Sequence, residues 1–155
     1  MLQQVFSPWG GSQEPGPRTA LPALQLSLPA DLRSPKCARD ALEKECARWG
    51  AHASLTEAAT LVASELVTNS VLHARTPLLL MAAYEGEQLV VAVSDGDPRL
   101  PQPRLLDPMR EDGRGLRILE SWAVTWGVQL TILGKVVWVM LVSHPTGGGG
   151  LSDGG

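Results

Sequence analysis

Cysteine is scarce in this chain: Cys37 and Cys46 are the only two in 155 residues. Both fall in what reads as one helix, where their separation corresponds to about 13 Å at roughly 1.5 Å per residue, so they cannot bridge. There is no CxxC pair and no His/Cys cluster. A disulfide scaffold and a zinc module are thereby excluded, and a reducing compartment, the cytoplasm, is expected. Long apolar runs are lacking too. No stretch approaches the roughly 20 residues that span a bilayer. The opening MLQQVFSPWGGSQEPGP has no basic segment followed by an apolar one, so it does not read as a secretory signal. Positive charge is not in excess either. A formal net charge of −3 gives no electrostatic case for nucleic acid or an anionic membrane as partner.

What is present is an ordinary globular composition, 44% hydrophobic, in a length that suits one domain with one core. Residues 1–20 and 144–155 are rich in Gly, Pro, Ser and Gln or in Gly alone. They are expected to be tails, because they bury too little apolar surface to offset their ordering entropy. The working domain is expected to be 21–143. Within it, Leu24–Leu28 alternates with period two, as a half-buried strand does. Asp31 or Ser34 can cap a following helix that has Pro35 in its first turn and Gly50 at its end. A second helix is expected from Ser54 to His73, with Ser54 and Glu57 at capping-box spacing. Strands Leu78–Tyr84 and Gln88–Ser94 follow, joined by a short link at Gly86. A loop covers 96–112, a short helix 115–123, and a last hairpin joins Val128–Leu133 to Val136–Val142 across Gly134-Lys135. The fold class read from this order is α+β: a two-layer sandwich with helices on one face of a mixed, mostly antiparallel sheet.

The most informative stretch runs Ala63-Ser-Glu65-Leu-Val-Thr-Asn69-Ser-Val-Leu-His73. Glu65, Asn69 and His73 recur every four residues, which on a helix makes one slanting stripe. The stripe is interleaved with Leu61, Val62, Leu66 and Leu72, so it is expected on the face that meets the sheet. Polar groups there are costly unless something partners them. A carboxylate and an amide oxygen suit Mg²⁺ and the orientation of a nucleophile, which is what phosphoryl transfer asks for. The alternative is a helix with a solvated polar edge.

Two further features carry chemistry. Gln88–Asp95 is an apolar strand that ends in an acid before Gly96-Asp97-Pro98. A strand-end carboxylate beside an apolar slot can accept from the 6-amino group of adenine, or it can simply start an Asx turn. Gly113-Arg114-Gly115 opens the short helix. Backbone amides there, with no Cβ in the way, can hold phosphate; the alternative is a flexible loop.

In this order the motifs resemble those of the GHKL (Bergerat-fold) ATP-binding domains. Glu65-x-x-x-Asn69-x-x-x-His73 is similar to the N-box, Ser94-Asp95-Gly-Asp-Pro98 to the G1 box, and Gly113-Arg-Gly115-Leu116 to the G2 box. SELVTNSVLHA, SDGDPRLP, GRGL and GKVVWVML resemble the compact anti-sigma-factor kinase-like proteins found in streptomycetes. The likeness covers roughly Leu24 to Val142. It implies a histidine-kinase-like ATPase domain that binds ATP and Mg²⁺ beneath a lid. By this resemblance Glu65 is the catalytic carboxylate, Asn69 the Mg²⁺ ligand and Asp95 the adenine reader. Gly113, Arg114, Gly115 and Leu116 lie along the phosphates, His73 near them, and Pro98–Asp112 forms the lid. Lys135 matches a recurring Gly-Lys turn to which no chemistry is assigned.

One departure stands out. The wider family reads Asp-x-Gly-x-Gly at G1, whereas Gly96-Asp97-Pro98 here supplies no glycine at the third position, Asp97 brings a negative charge there, and Pro98 stiffens the entry to the lid. The function implied is an ATP-dependent serine/threonine protein kinase that phosphorylates an anti-sigma-factor antagonist and holds or releases a sigma factor. Its rival is a non-catalytic ATP-binding interaction module. A homodimer through the edge strand Leu24–Leu28 is a further expectation, since an uncovered edge invites pairing.

Overall fold

The computed structural model describes residues 24–100 and 122–143. Its elements run β1 (Leu24–Leu28), α1 (Ser34–Trp49), α2 (Ala53–Asn69), a π-helical turn (Ser70–Ala74), β2 (Leu78–Glu85), β3 (Gln88–Asp95), β4 (Trp122–Leu130) and β5 (Lys135–Ser143). The strands form one sheet in the order β1-β2-β3-β5-β4. A mixed sheet is the expectation; every described pairing is antiparallel. Hairpins join β2 to β3 and β4 to β5, which is the short-range way to build such a sheet. β1 lies at one edge, as expected, and β4 at the other.

Period-two alternation sorts the side chains. Leu80, Ala82, Val91, Val93, Val137, Val139 and Leu141 are buried on the face that meets the helices. Against them pack Ala38, Leu42 and Cys46 from α1, and Val62, Ala63, Leu66 and Val67 from α2. These apolar residues recur at three- and four-residue spacing, the stripe that a helix lays on a core. The two cysteines are free thiols, Cys37 exposed and Cys46 buried, and burial pushes the Cys46 thiol up from its ordinary value.

Several helix ends differ from the sequence expectation. Neither Asp31 nor Ser34 caps α1. Asp31 accepts from the Arg33 N–H at 2.7 Å, while Ser34 is buried and donates to the Pro29 carbonyl at 2.6 Å. Pro35 does sit in the first turn, and Gly50 ends the helix in the left-handed region (φ 71°), where a Cβ is strained. The capping box at Ser54 does not form, since α2 starts at Ala53 after His52 with no side-chain cap. At α1 the two side chains that could cap are spent on other local hydrogen bonds, so a cap worth about 1 kcal/mol is forgone there. Trp122 and Ala123, expected at the end of a helix, begin β4 instead, paired with Ser143 and Val142; the rest of that helix lies outside the described residues. Among the described residues no helix is long and apolar enough to cross a membrane.

Candidate functional site

The site lies where the C-terminal end of α2 meets one end of the sheet. Strand register sets one row of helix-facing residues across that end: Leu28, Leu78, Asp95, Lys135 and Leu130. Asp95 stays in phase with Val91 and Val93, and Lys135 with Val137 and Val139. Alternation therefore turns both charges toward the helices. Both are buried, with side-chain exposures of 1% for Asp95 and 8% for Lys135. The Lys135 Nζ donates to Asp95 Oδ1 at 2.9 Å and to the Asp97 carbonyl at 2.7 Å. From the helix side, Ser70 Oγ donates to Asp95 Oδ2 at 2.9 Å. The Asp97 N–H closes an Asx turn on Oδ1 at 3.0 Å.

Gly134, just before Lys135, holds the pair in place. A Cβ at this position would overlap the Asp95 carbonyl oxygen and meet the Gly96 backbone at 2.7 Å. Only glycine lets β5 start this close to the exit of β3.

Sequence reasoning missed Ser70 and gave Lys135 no role, though both leave a signal. Ser70 continues the buried stripe of α2, three and four residues after Val67 and Leu66, so it is a polar residue in a core position that needs a partner. Lys135 is two residues before Val137 on the inward face of an apolar strand.

The Glu65-Asn69-His73 stripe is not core-facing throughout. Glu65 and Asn69 are half-buried, whereas His73 is exposed and Leu72 is 49% exposed. The reason is local. Residues four apart drift by about 40° around an α-helix, and from Ser70 the chain adopts a π-turn closed by the Arg75 N–H on the Ser70 carbonyl at 3.1 Å. The wider turn changes the phase after Asn69, and such turns are frequent at functional sites. Glu65 and Asn69 stand on successive turns of α2, one turn and one residue before the Ser70–Asp95 contact. Their oxygens are of the hard kind that Mg²⁺ prefers. Among the described residues no group of three or more His, Cys, Asp or Glu could hold a metal by itself. Gly113, Arg114, Gly115 and Leu116 lie outside the described residues.

The Gly96-Asp97-Pro98 departure has a structural consequence. The Gly96 N–H donates to Thr76 Oγ1 at 2.8 Å. The Asp97 carboxylate accepts from Arg99, whose Nη2 lies 2.6 Å from Oδ2, and the same Nη2 donates to the His73 carbonyl at 3.2 Å. Arg99 thus bridges the Asp97 carboxylate to the π-turn and fastens the segment after β3 to it. The Arg99 guanidinium and the Arg99 backbone N–H hold the Asp97 carboxyl at about 2, below its ordinary 3.8. Because the folded state favours the ionised form, this contact contributes fully above the ordinary value and is lost as pH falls from about 3.8 through about 2. Arg99→Ala should return the Asp97 carboxyl toward 3.8 in a carbon-detected NMR titration. An unmoved midpoint would mean that Arg99 does not hold this carboxylate.

Residues 28–140 match the family described as the histidine kinase-like ATPase domain, and the chain belongs to that family. Among solved structures, the RsbU and RsbW domains of Rv1364c from Mycobacterium tuberculosis are similar over 81% of this chain and 34% of theirs, at 18% identity and a TM-score of 0.56. The chain spans about a third of that protein's length, and the likeness is one of fold. The histidine kinase domain of a blue-light activated histidine kinase from Erythrobacter litoralis EL346 matches over 58% of this chain and 45% of that one, at 20% identity and a TM-score of 0.43. No curated protein sequence matches the chain.

Proposed function

We propose that the chain binds ATP with Mg²⁺ at the end of α2 and acts as an anti-sigma-factor-type serine/threonine protein kinase. The observation that carries the reading is Asp95, a buried strand-end carboxylate anchored by Ser70 and Lys135. A carboxylate has about four acceptor positions, two on each oxygen. Lys135 and the Asp97 N–H occupy Oδ1, and Ser70 takes one place on Oδ2. Among the described residues nothing else takes Oδ2, which leaves one position on it for the 6-amino group of adenine. Asn69 would ligate Mg²⁺, which when bound offsets the charge of the phosphates. Gly113, Arg114 and Gly115 would donate to phosphate oxygens, with Leu116 and His73 alongside. Glu65 would orient the serine hydroxyl of an anti-sigma-factor antagonist and take its proton. The hydroxyl oxygen then bonds the γ-phosphorus as the bond to ADP breaks. Phosphorylation of the antagonist would set whether a sigma factor is held, in the cytoplasm, and a homodimer could form through the β1 edge.

Calorimetric titration with ATP in millimolar Mg²⁺ tests this reading. The wild type should bind, and Asp95→Asn should weaken binding by about 1–3 kcal/mol, because a buried donor loses its acceptor. A wild type that takes up no ATP would overturn it. A second reading, the non-catalytic ATP-gated interaction module, is favoured by the Asp97–Arg99–His73 tie, which restrains the segment expected to lead into the lid.

A further inference from the structure

We propose that Lys135 is a base-recognition residue: its ammonium donates to N1 of adenine while Asp95 accepts from the neighbouring 6-amino group. The inference rests on the ATP-binding reading above and gives a direct contact with the base to a side chain that reading uses only to anchor Asp95.

A buried ion pair contributes little to stability by itself. The attraction between the charges is offset by the cost of taking both out of water, and an apolar pair of similar volume often does as well. The Asp95–Lys135 pair therefore calls for a reason other than stability, and its hydrogen bonds supply one. An ammonium has three N–H donors. Asp95 Oδ1 takes one at 2.9 Å and the Asp97 carbonyl another at 2.7 Å. Among the described residues this leaves one donor on the Lys135 ammonium and one acceptor place on the carboxylate it binds. The complement of a donor next to an acceptor is an edge with an acceptor next to a donor. Adenine presents that edge: N1 accepts, and the 6-amino group donates.

The arrangement is rigid before any base arrives. Asp95 and Lys135 are register partners on adjacent strands, and Gly134 lets their backbones close up. Both ends of the carboxylate are held, by Ser70 from the helix and Lys135 from the sheet. The Lys135 stem is fixed at two acceptors, so little side-chain freedom is left to lose on binding. The pair also discriminates. Guanine in the same orientation would present its O6 acceptor to the Asp95 carboxylate and its N1–H to the ammonium, two like-with-like contacts at buried groups.

Calorimetry on the full chain with Mg²⁺ provides the test, with ATP, 1-deaza-ATP (a C–H in place of N1) and the triphosphate of purine riboside (no 6-amino group). The wild type should bind ATP about tenfold or more tighter than 1-deaza-ATP, the loss expected for a hydrogen bond to a charged group. Lys135→Met should bind ATP and 1-deaza-ATP equally, yet still prefer ATP over the purine riboside triphosphate, which Asp95 reads. Should Lys135→Met fail to fold, Asp95→Asn/Lys135→Met leaves no uncompensated charge and must likewise show no preference for N1. A wild type indifferent to N1, or a Lys135 variant that keeps the full preference, overturns the proposal and leaves ATP binding standing. A wild type with no affinity for ATP overturns both.

Discussion

Lys135→Met is expected to cost the fold about 3–5 kcal/mol, a large fraction of the roughly 5–15 kcal/mol that stabilises a domain. Methionine fills nearly the same volume, so packing is not the cause. The cost is the Asp95 carboxylate, 1% exposed, left with Ser70 and one backbone amide but no counter-charge. Urea denaturation of the wild type, Lys135→Met and Asp95→Asn/Lys135→Met separates this from lost contacts. The double variant should recover most of the loss, because an interior without either charge has little to compensate. A single variant within about 0.5 kcal/mol of the wild type would mean that water reaches the pair.

Glu65→Gln is expected to lower phosphoryl transfer by about 10²–10⁴-fold and to leave ATP affinity nearly unchanged. Glutamine keeps the size of the half-buried Glu65 side chain and much of its hydrogen bonding, but it cannot accept the serine proton. The measurement is transfer of labelled phosphate from ATP to the antagonist's serine, alongside calorimetry of ATP binding. A wild type that binds ATP and antagonist, transfers nothing and matches Glu65→Gln in partner release would make the protein an ATP-gated module. In that case Glu65 is a structural carboxylate.

Much of this molecule is written in local patterns. Alternation over Leu24–Leu28 and the apolar runs Leu78–Tyr84 and Gln88–Ser94, joined at Gly86, locate three strands to within a residue, and Gly50 locates the end of α1. Each of these signals depends on residues a few positions apart, and the backbone geometry that reads them is the same in every fold. Asp95 was legible for a related reason: a carboxylate that ends an apolar strand marks a position that needs partners, and Ser70 and Lys135 supply them.

The partners themselves were not legible. Asp95 meets Ser70 across 25 residues and Lys135 across 40, and only the strand order β3-β5 and the docking of α2 bring them together. The same holds for the π-turn. It begins at Ser70, the residue that reaches Asp95, and it sets the phase of the last turn in which His73 is exposed. Local sequence determined β1, β2, β3 and α1 and which of their polar residues must be satisfied, but not the start of β4. Tertiary structure alone decided which charges face each other, because that depends on register between distant strands and on the desolvation that makes a pairing compulsory.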